Sequence, residues 1–516
     1  MKPVPKTRSA ALALFVLVAL SAVAHEAAAR PGGGHSYSGG SHSSSSSHSS
    51  SSHSSGSSHS YGGGSSRSYG GGSSSHSYGG GGGGGTPDGV MFGLLLMGGL
   101  VYGVAAYIKS MESAEVYDSG PVQLAPPPVR KSGTLAKVRA RDPEFSTVLF
   151  EDFVYALYAR VQAARADAAQ MTALAPYVAD RAREKLLARE PAGVKIHGVV
   201  IGKMEVVRVV DASRLEVDLV FEANYTAELP DGPQGYYIEE RWSLVRAAGV
   251  TSKPPTDVYS FQCPSCGGPY ERSDDGRCRR CAQVVEGGRF DWSLDSTKVL
   301  RHEQRPPTLT GEVAEQGTHL PSVLEPGITK RYAKFAAEDP GATLEVLERR
   351  TREIFAAMNT GWSSCDLRPI RPHVSDAFFN YLSYWIDAYK AQGLQNLLRD
   401  PELSRVQLVK LVRDRHYDAI TLRIWARCID TTVDARDGRL LSGNPKRPRA
   451  YSEYWTLIRG ASVRGAPRSP GNCPNCGGPL DRVNMAGNCE YCGAHLTRGE
   501  FDWVLAKIEQ DEAYTG

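Results

Sequence analysis

The chain has 516 residues, a formal charge of +3, and 22% charged against 41% hydrophobic residues. That length is too great for one small core and implies more than one domain. From residue 109 onward basic and acidic residues balance, so the basic excess expected of a dedicated nucleic-acid binder is missing.

Residues 1–24 read as a secretory signal sequence. Lys2, Lys6 and Arg8 precede an apolar run from Ala10, and Ala22-Val23-Ala24 offers small residues for cleavage. Residues 25–88 form a Gly/Ser/His-rich segment, of which residues 31–87 are almost wholly Gly, Ser, His and Tyr and carry six histidines (His35, His42, His48, His53, His59 and His76) at irregular spacing. Such a segment has too little apolar surface to offset its ordering entropy and is expected to be a disordered polar spacer.

Residues 89–108 (GVMFGLLLMGGLVYGVAAYI) carry no charge. At ~1.5 Å per residue, they suffice for a helix across a ~30 Å hydrocarbon layer. Gly89/Gly93 and Gly99/Gly103 form Gly-x-x-x-Gly pairs, a route to a homodimer through this transmembrane helix. Lys109, Arg130, Lys131, Lys137, Arg139 and Arg141 follow the span, and only Arg67 lies in the tail before it. The positive side belongs in the cytoplasm, so everything after the span is expected there. Residues 109–141 read as a linker.

The rest repeats itself. Cys263-Pro264-Ser265-Cys266-Gly267-Gly268-Pro269 matches Cys473-Pro474-Asn475-Cys476-Gly477-Gly478-Pro479. Each is answered by a second pair, Cys278/Cys281 and Cys489/Cys492, and then by Phe-Asp-Trp, ending at Trp292 and Trp503. Two residues inside each pair and a short span between pairs suit a tetrahedral thiolate site, so the eight cysteines are candidate ligands for two structural zinc ions. Two disulfides per set are the alternative, and a reducing cytoplasm favours zinc. Four thiolates fill the coordination shell and leave no place for a catalytic water. His495 follows Cys492 closely, but its counterpart in the first set is Val284, which argues against a ligand role.

The repeat extends beyond the cysteines. Glu240-Arg241-Trp242-Ser243-Leu244-Val245-Arg246 matches Glu453-Tyr454-Trp455-Thr456-Leu457-Ile458-Arg459, and Asp142-Pro143 and Asp339-Pro340 each open a helical stretch. In the first copy Phe145, Leu149, Phe153, Ala156 and Leu157 share a helical face, a second helix falls around Ala179 to Arg189, and strands follow from Gly198 to Val210 and through Leu215, Val217, Leu219 and Phe221. In the second copy Leu344, Leu347, Ile354 and Phe355 share one helix. Phe378, Phe379, Leu382, Trp385, Ile386 and Tyr389 share another, and Ile420, Leu422, Ile424, Ala426 and Cys428 alternate along a strand. Helical aromatics and Cys428 are read as core; Cys365, in a turn after Trp362, receives no role. Phe290-x-Trp292-x-Leu294 and Phe501-x-Trp503-x-Leu505 read as last strands, which makes the zinc knuckles insertions between the final two strands of each sheet.

The fold class is therefore α+β, in two tandem domains with helices over an antiparallel sheet. The first spans 142–300 with a ribbon at 263–281, a linker covers 301–337, and the second spans 338–510 with a ribbon at 473–492.

Asp142-Pro143-x-Phe145, the alternating strands, Trp242-Ser243-Leu244-Val245-Arg246 and the closing Trp292-x-Leu294 resemble the Tim44-like family. In the second copy Trp455 to Arg459 and Trp503-x-Leu505 stand at the same places. A signal sequence, Gly/Ser tail and membrane span ahead of such a domain resemble bacterial members. The resemblance implies a cone-like fold similar to the nuclear-transport-factor-two-like superfamily, membrane association and partner binding. The family's mitochondrial member tethers a heat-shock chaperone to the protein import channel. The duplication, the zinc insertions and the membrane span depart from it, so that activity is not carried over.

The expected function is a non-enzymatic scaffold at the inner, cytoplasmic membrane of a bacterium, binding a protein, peptide or lipid partner. Two alternatives stand beside it. An enzyme would use Glu240 or Glu453 as a pocket acid or base. A nucleic-acid-binding ribbon would use Arg272, Arg277, Arg279, Arg280 and Arg289, although the second ribbon mixes Arg482 and Arg498 with Asp481, Glu490 and Glu500.

Overall fold

A computed structural model describes residues 135 to 516 apart from 254, 256–260, 306–308, 311–314, 316, 466–470, 512 and 515. The expected signal sequence, Gly/Ser/His segment and transmembrane helix, and most of the first linker, lie outside the described residues. Among those residues no helix is long and apolar enough to cross a membrane.

The first copy opens with α1 (Ala136–Arg141), inside the stretch read as linker, followed by α2 (Thr147–Ala164), α3 (Ala168–Ala173) and α4 (Asp180–Leu187). Ser146 Oγ accepts the Leu149 amide at 3.3 Å and caps α2. Four long strands follow, β1 (Ile196–Asp211), β2 (Arg214–Leu229), β3 (Gly232–Ala247) and β4 (Ser293–Gln304), antiparallel in the order β1-β2-β3-β4. The period-2 pattern holds: Leu215, Val217, Leu219 and Phe221 are buried and face the helices. Tyr158 of α2 packs against Phe221 and Trp242, with ring centroids 4.8 and 4.9 Å away.

The second copy repeats the order with longer helices: α5 (Ile328–Glu338), α6 (Leu344–Ser363) and α7 (Asp376–Ala391). Its sheet runs β5 (Leu394–Arg413), β6 (Tyr417–Asp434), β8 (Arg449–Gly460) and β9 (Val504–Gln510), with the short β7 (Leu440–Gly443) paired to β6. The apolar stripe of α7 is core from Phe378 to Tyr389, as is Cys428 on β6. Leu344 departs from its expected place: it opens α6 and is 44% exposed, while Leu347, Ile354 and Phe355 are buried. Cys365 sits just past the end of α6 at φ 52°. Its amide bonds the Trp362 carbonyl at 3.0 Å and the next amide, of Asp366, reaches Gly361 at 2.9 Å. These are the two bonds of a left-handed helix stop, where glycine is usual.

The cysteine ribbons fall between β3 and β4 and between β8 and β9. The last strands begin later than the aromatic alternation suggests. Asp291 and Asp502 each accept the amide of the following tryptophan, at 2.8 and 2.7 Å, and pairing starts only beyond it. Phe290 and Phe501 consequently pack into the ribbons, not the sheets.

Both faces of the second sheet are covered. The sequence pattern suggests one covered face, yet β6 is buried almost throughout. Leu149 of α2 packs with Tyr417, Ala419, Ile458 and Val504 on the outer side of that sheet, and Glu144 pairs with Arg415. So α2 is buried on two sides, which explains its broad apolar stripe. Between the copies, β4 continues to Gln304 and α5 begins at Ile328, both inside the 301–337 stretch read as linker. The part from Gly317 to Glu325 lies along the outer face. Arg423, fully buried, donates to the carbonyls of Gly317 and Leu320 at 2.8 Å each and pairs with Asp511 at 2.8 Å.

Candidate metal centres

Each ribbon brings its four sulfurs together. The Sγ atoms of Cys263, Cys266, Cys278 and Cys281 lie within 4.8 Å of one another, as do those of Cys473, Cys476, Cys489 and Cys492. Cys263–Cys281 and Cys473–Cys492 are 3.9 Å apart and Cys476–Cys489 3.8 Å. With Zn–S bonds of ~2.3 Å, a tetrahedron has edges of about 3.8 Å. A disulfide would need about 2.05 Å. The donor sets thus fit two zinc ions.

The local sequence dictates this geometry. In the first knuckle the Gly267 amide returns to the Cys263 carbonyl at 2.8 Å, and in its second half Ala282 returns to Cys278 at 2.8 Å. Gly477 and Gly493 do the same for Cys473 and Cys489, at 2.8 Å each. The residue after each second cysteine is left-handed: Gly267 at φ 70°, Gly477 at 78°, Gly493 at 72°, and Ala282 at 58°. Three of the four are glycine, which meets that requirement without strain.

Hydrogen bonds prepare some of the thiols. The amide of Gln283, aided by Ser265, lowers the Cys281 thiol to about 7. Asn475 Nδ2 donates to Cys492 Sγ at 3.4 Å, and this side chain together with the amide of Ala494 lowers that thiol to about 6. Burial pushes the Cys263 thiol up to about 12. Four thiolates this close repel one another, so the set deprotonates fully around a cation.

Each ribbon is docked on the helix that closes its own domain. Tyr177 donates to the Gln262 carbonyl at 2.8 Å, and Arg272 pairs with Asp180 at the start of α4 at 3.8 Å. In the second copy Asp376, at the start of α7, accepts from Thr497 at 2.8 Å and His495 Nε2 at 3.1 Å, and pairs with Arg371. Arg371 also donates to the Met485 carbonyl at 2.8 Å. Against the cost of burial, these donors hold the Asp376 carboxyl well below its ordinary value. His495 therefore bonds Asp376 and Asn488. The geometry gives the ribbons a structural task, fixing the ends of α4 and α7.

Glu240 and Glu453 both lie inside their domains, 0% and 1% exposed. Glu240 pairs with Arg189 at 2.7 Å and accepts from Gln162 at 3.0 Å and Thr297 at 2.9 Å. Burial alone would raise its proton affinity, but the guanidinium outweighs this and holds the carboxyl below its ordinary value. Glu453 accepts from Trp455 Nε1 at 2.9 Å and Gln510 at 3.2 Å. Two of the five ribbon arginines are ion-paired, Arg272 to Glu286 at 3.0 Å and Arg277 to Asp275 at 3.0 Å and to the Ala282 carbonyl at 3.0 Å, while Arg279, Arg280 and Arg289 are exposed.

Arg189, Gln162, Arg371 and Thr497 have no sequence signature. Apart from Asp376, five residues beyond Arg371, their partners are far away in the chain, and no local spacing announces such pairs. Only the position of Arg189 and Arg371 next to a helix end sets them apart.

Helices over an antiparallel sheet with four-cysteine knuckles define an α+β class of domain carrying candidate metal ribbons. The model of the Tim44-like domain matches residues 329–468, so the second copy contains a Tim44-like domain. Among solved structures the chain is similar to an "Ntf2 like protein involved in plasmid conjugation", at 7% identity over 70% of this chain and 92% of that one, with a TM-score of 0.17. No curated protein matches the sequence.

Proposed function

We propose that the chain is a membrane-anchored scaffold. In this reading residues 89–108 cross a bacterial inner membrane behind a signal sequence, and both copies are Tim44-like domains in the cytoplasm that bind a protein, peptide or lipid partner. Two zinc ions, one per tetrad, hold the ribbons. The observation that carries it is the closure of the tetrads and of the Glu240 site among the described residues: the tetrads offer four sulfurs and no open position, and Glu240 is locked to Arg189 at 2.7 Å. The Tim44-like match and the charge asymmetry around the apolar span support the membrane and partner parts.

An acid or base working near neutral pH needs a raised carboxyl, and Glu240 is lowered instead. The nucleic-acid reading is weakened by the pairing of Arg272 and Arg277 and by the balance of basic and acidic residues from residue 109 onward. The test is crosslinking in intact cells followed by purification from detergent-solubilised membranes. A stoichiometric partner is expected; recovery of the bare protein under mild conditions would sink the proposal. Protease protection in inverted vesicles tests the orientation.

A further inference from the structure

The first sheet leaves one edge open. Strand β4 pairs with β3 on one side. On the other, Leu294 exchanges hydrogen bonds with Tyr177 and Ala179 at 2.8 Å each, and Arg181 takes the Asp295 carbonyl at 2.9 Å. Beyond Asp295 no strand or bridge meets that edge among the described residues. The covering segment turns into α4, which has 8 residues where α7 has 16. Beside the end of α4 this leaves a groove of about 550 Å³, lined by Lys185, Arg189 and Ser296 to Val299.

Open edges are usually spoiled for pairing by bulges. Strands β1 and β5, at the far edges of their sheets, each carry three register shifts. The two shifts in β4 fall at Asp295 and Leu300, so Ser296 to Val299 keeps an unbroken register. At the end of that run Val299 is 39% and Leu300 42% exposed, apolar surface with nothing seated on it among the described residues.

Along the unbroken run the charge is basic, while Asp295 just before it pairs with Arg181 and Glu303 beyond it pairs with Arg301. Arg241 and Lys298 stand directly opposite each other on β3 and β4, both exposed. Like charges in that position repel unless an anion lies between or beside them. Lys185, in the last turn of α4, adds a third cation on the groove side. Lysines on an edge deter a second copy of the same strand and favour an acidic one.

We propose that this edge is a docking site for an extended acidic segment of a partner protein, which adds to the sheet as a fifth strand beside β4. Its carboxylates meet Lys298 and Arg241 on the outer face and Lys185 in the groove. An apolar residue between them covers Val299. Main-chain pairing supplies affinity and the cations supply selection. The inference rests on the scaffold reading and deepens it by naming where the partner binds and its chemistry.

The test uses the full-length chain and a fluorescein-labelled octapeptide of sequence VEEVEEVE, which places carboxylates on both faces of a strand, read by fluorescence anisotropy. The peptide is expected to bind, and methylating its alternate backbone nitrogens should weaken binding by about tenfold or more, since a methyl removes the pairing donor. The variant K185E/K298E, at two exposed positions, should weaken binding similarly while keeping its metal content. Loss of anisotropy change on N-methylation is specific to strand addition. Unchanged binding by the methylated peptide, displacement by anionic vesicles regardless of methylation, or no binding would each overturn the proposal. A photocrosslinker at Leu300 in cells separates the two readings. A partner trapped from Tyr491, 60% exposed on the second ribbon, but never from Leu300 would refute this site and leave the scaffold standing; no partner from any position would remove the scaffold as well.

Discussion

Asp142 and Arg246 meet in a buried ion pair at 2.9 Å, each side chain 1% exposed, and Asp339 and Arg459 form the same pair in the second copy. Each guanidinium also lies over a tryptophan, Trp292 at 4.6 Å and Trp503 at 4.3 Å from the ring centroid. The Asp-Pro before the first long helix, the arginine closing the Trp-bearing strand and the Phe-Asp-Trp after the ribbon are therefore one clasp, made twice. It ties the start of each domain to its last two strands.

Removing one partner of a buried pair strands the other charge. Asp339 also accepts the amides of Gly341 and Gly465 at 2.9 Å each. We expect D339A to lose about 3–5 kcal/mol of stability, and D339N, which can still accept those amides, to lose less. Urea unfolding followed by tryptophan fluorescence checks both, and equal losses would show that the charge is immaterial.

Glu240 is held below its unfolded value near 4.5. A depressed carboxyl contributes stability that is present above the unfolded value and lost as pH falls through the folded one. The urea midpoint should thus fall below about pH 4.5, and E240Q should show a shallower acid limb. Metal release in acid is common to both proteins, so the difference between them reports on Glu240 alone.

The purified chain should carry two zinc ions, one per tetrad. C263S should lose one and C473S the other, whereas H495A should keep both, because His495 faces Asp376. Metal analysis of the three variants decides this; loss of zinc from H495A would restore histidine as a ligand.

Ala282 occupies the left-handed position that glycine fills in the other three knuckle turns. Relief of that strain should make A282G hold its zinc more tightly, by about 1 kcal/mol or roughly fivefold. Competition with a chromophoric chelator measures it, and weaker binding would contradict the assignment of strain.

Leu149 is 4% exposed between the copies, against Tyr417 and Ile458. A carboxylate there would be buried without a partner, so L149D should separate the copies at a cost of about 2–5 kcal/mol. Limited proteolysis near residues 305–320 should become faster while zinc content stays at two.

Much of this fold was legible because its signals are local. The knuckles, the alternation in β2 and β6 and the stripe of α7 each depend on residues close in sequence. The second covering layer was not. Thr421, Arg423 and Trp425 stand between the apolar residues of β6, yet Arg423 is buried under main-chain carbonyls from Gly317 and Leu320. Nothing in a period-2 pattern distinguishes a polar residue facing water from one facing backbone. The ion pair of Glu240 with Arg189 was hidden in the same way, since its partners join the end of α4 to β3 across the core.

Arg423 has a mechanical consequence. It grips the incoming chain at Gly317 and Leu320 and the outgoing chain at Asp511, so both ends of the second domain are knotted to the middle of its most deeply buried strand. A pull along the polypeptide from either end reaches that one guanidinium before it reaches β5 or β9, and the sheet is spared until the knot slips.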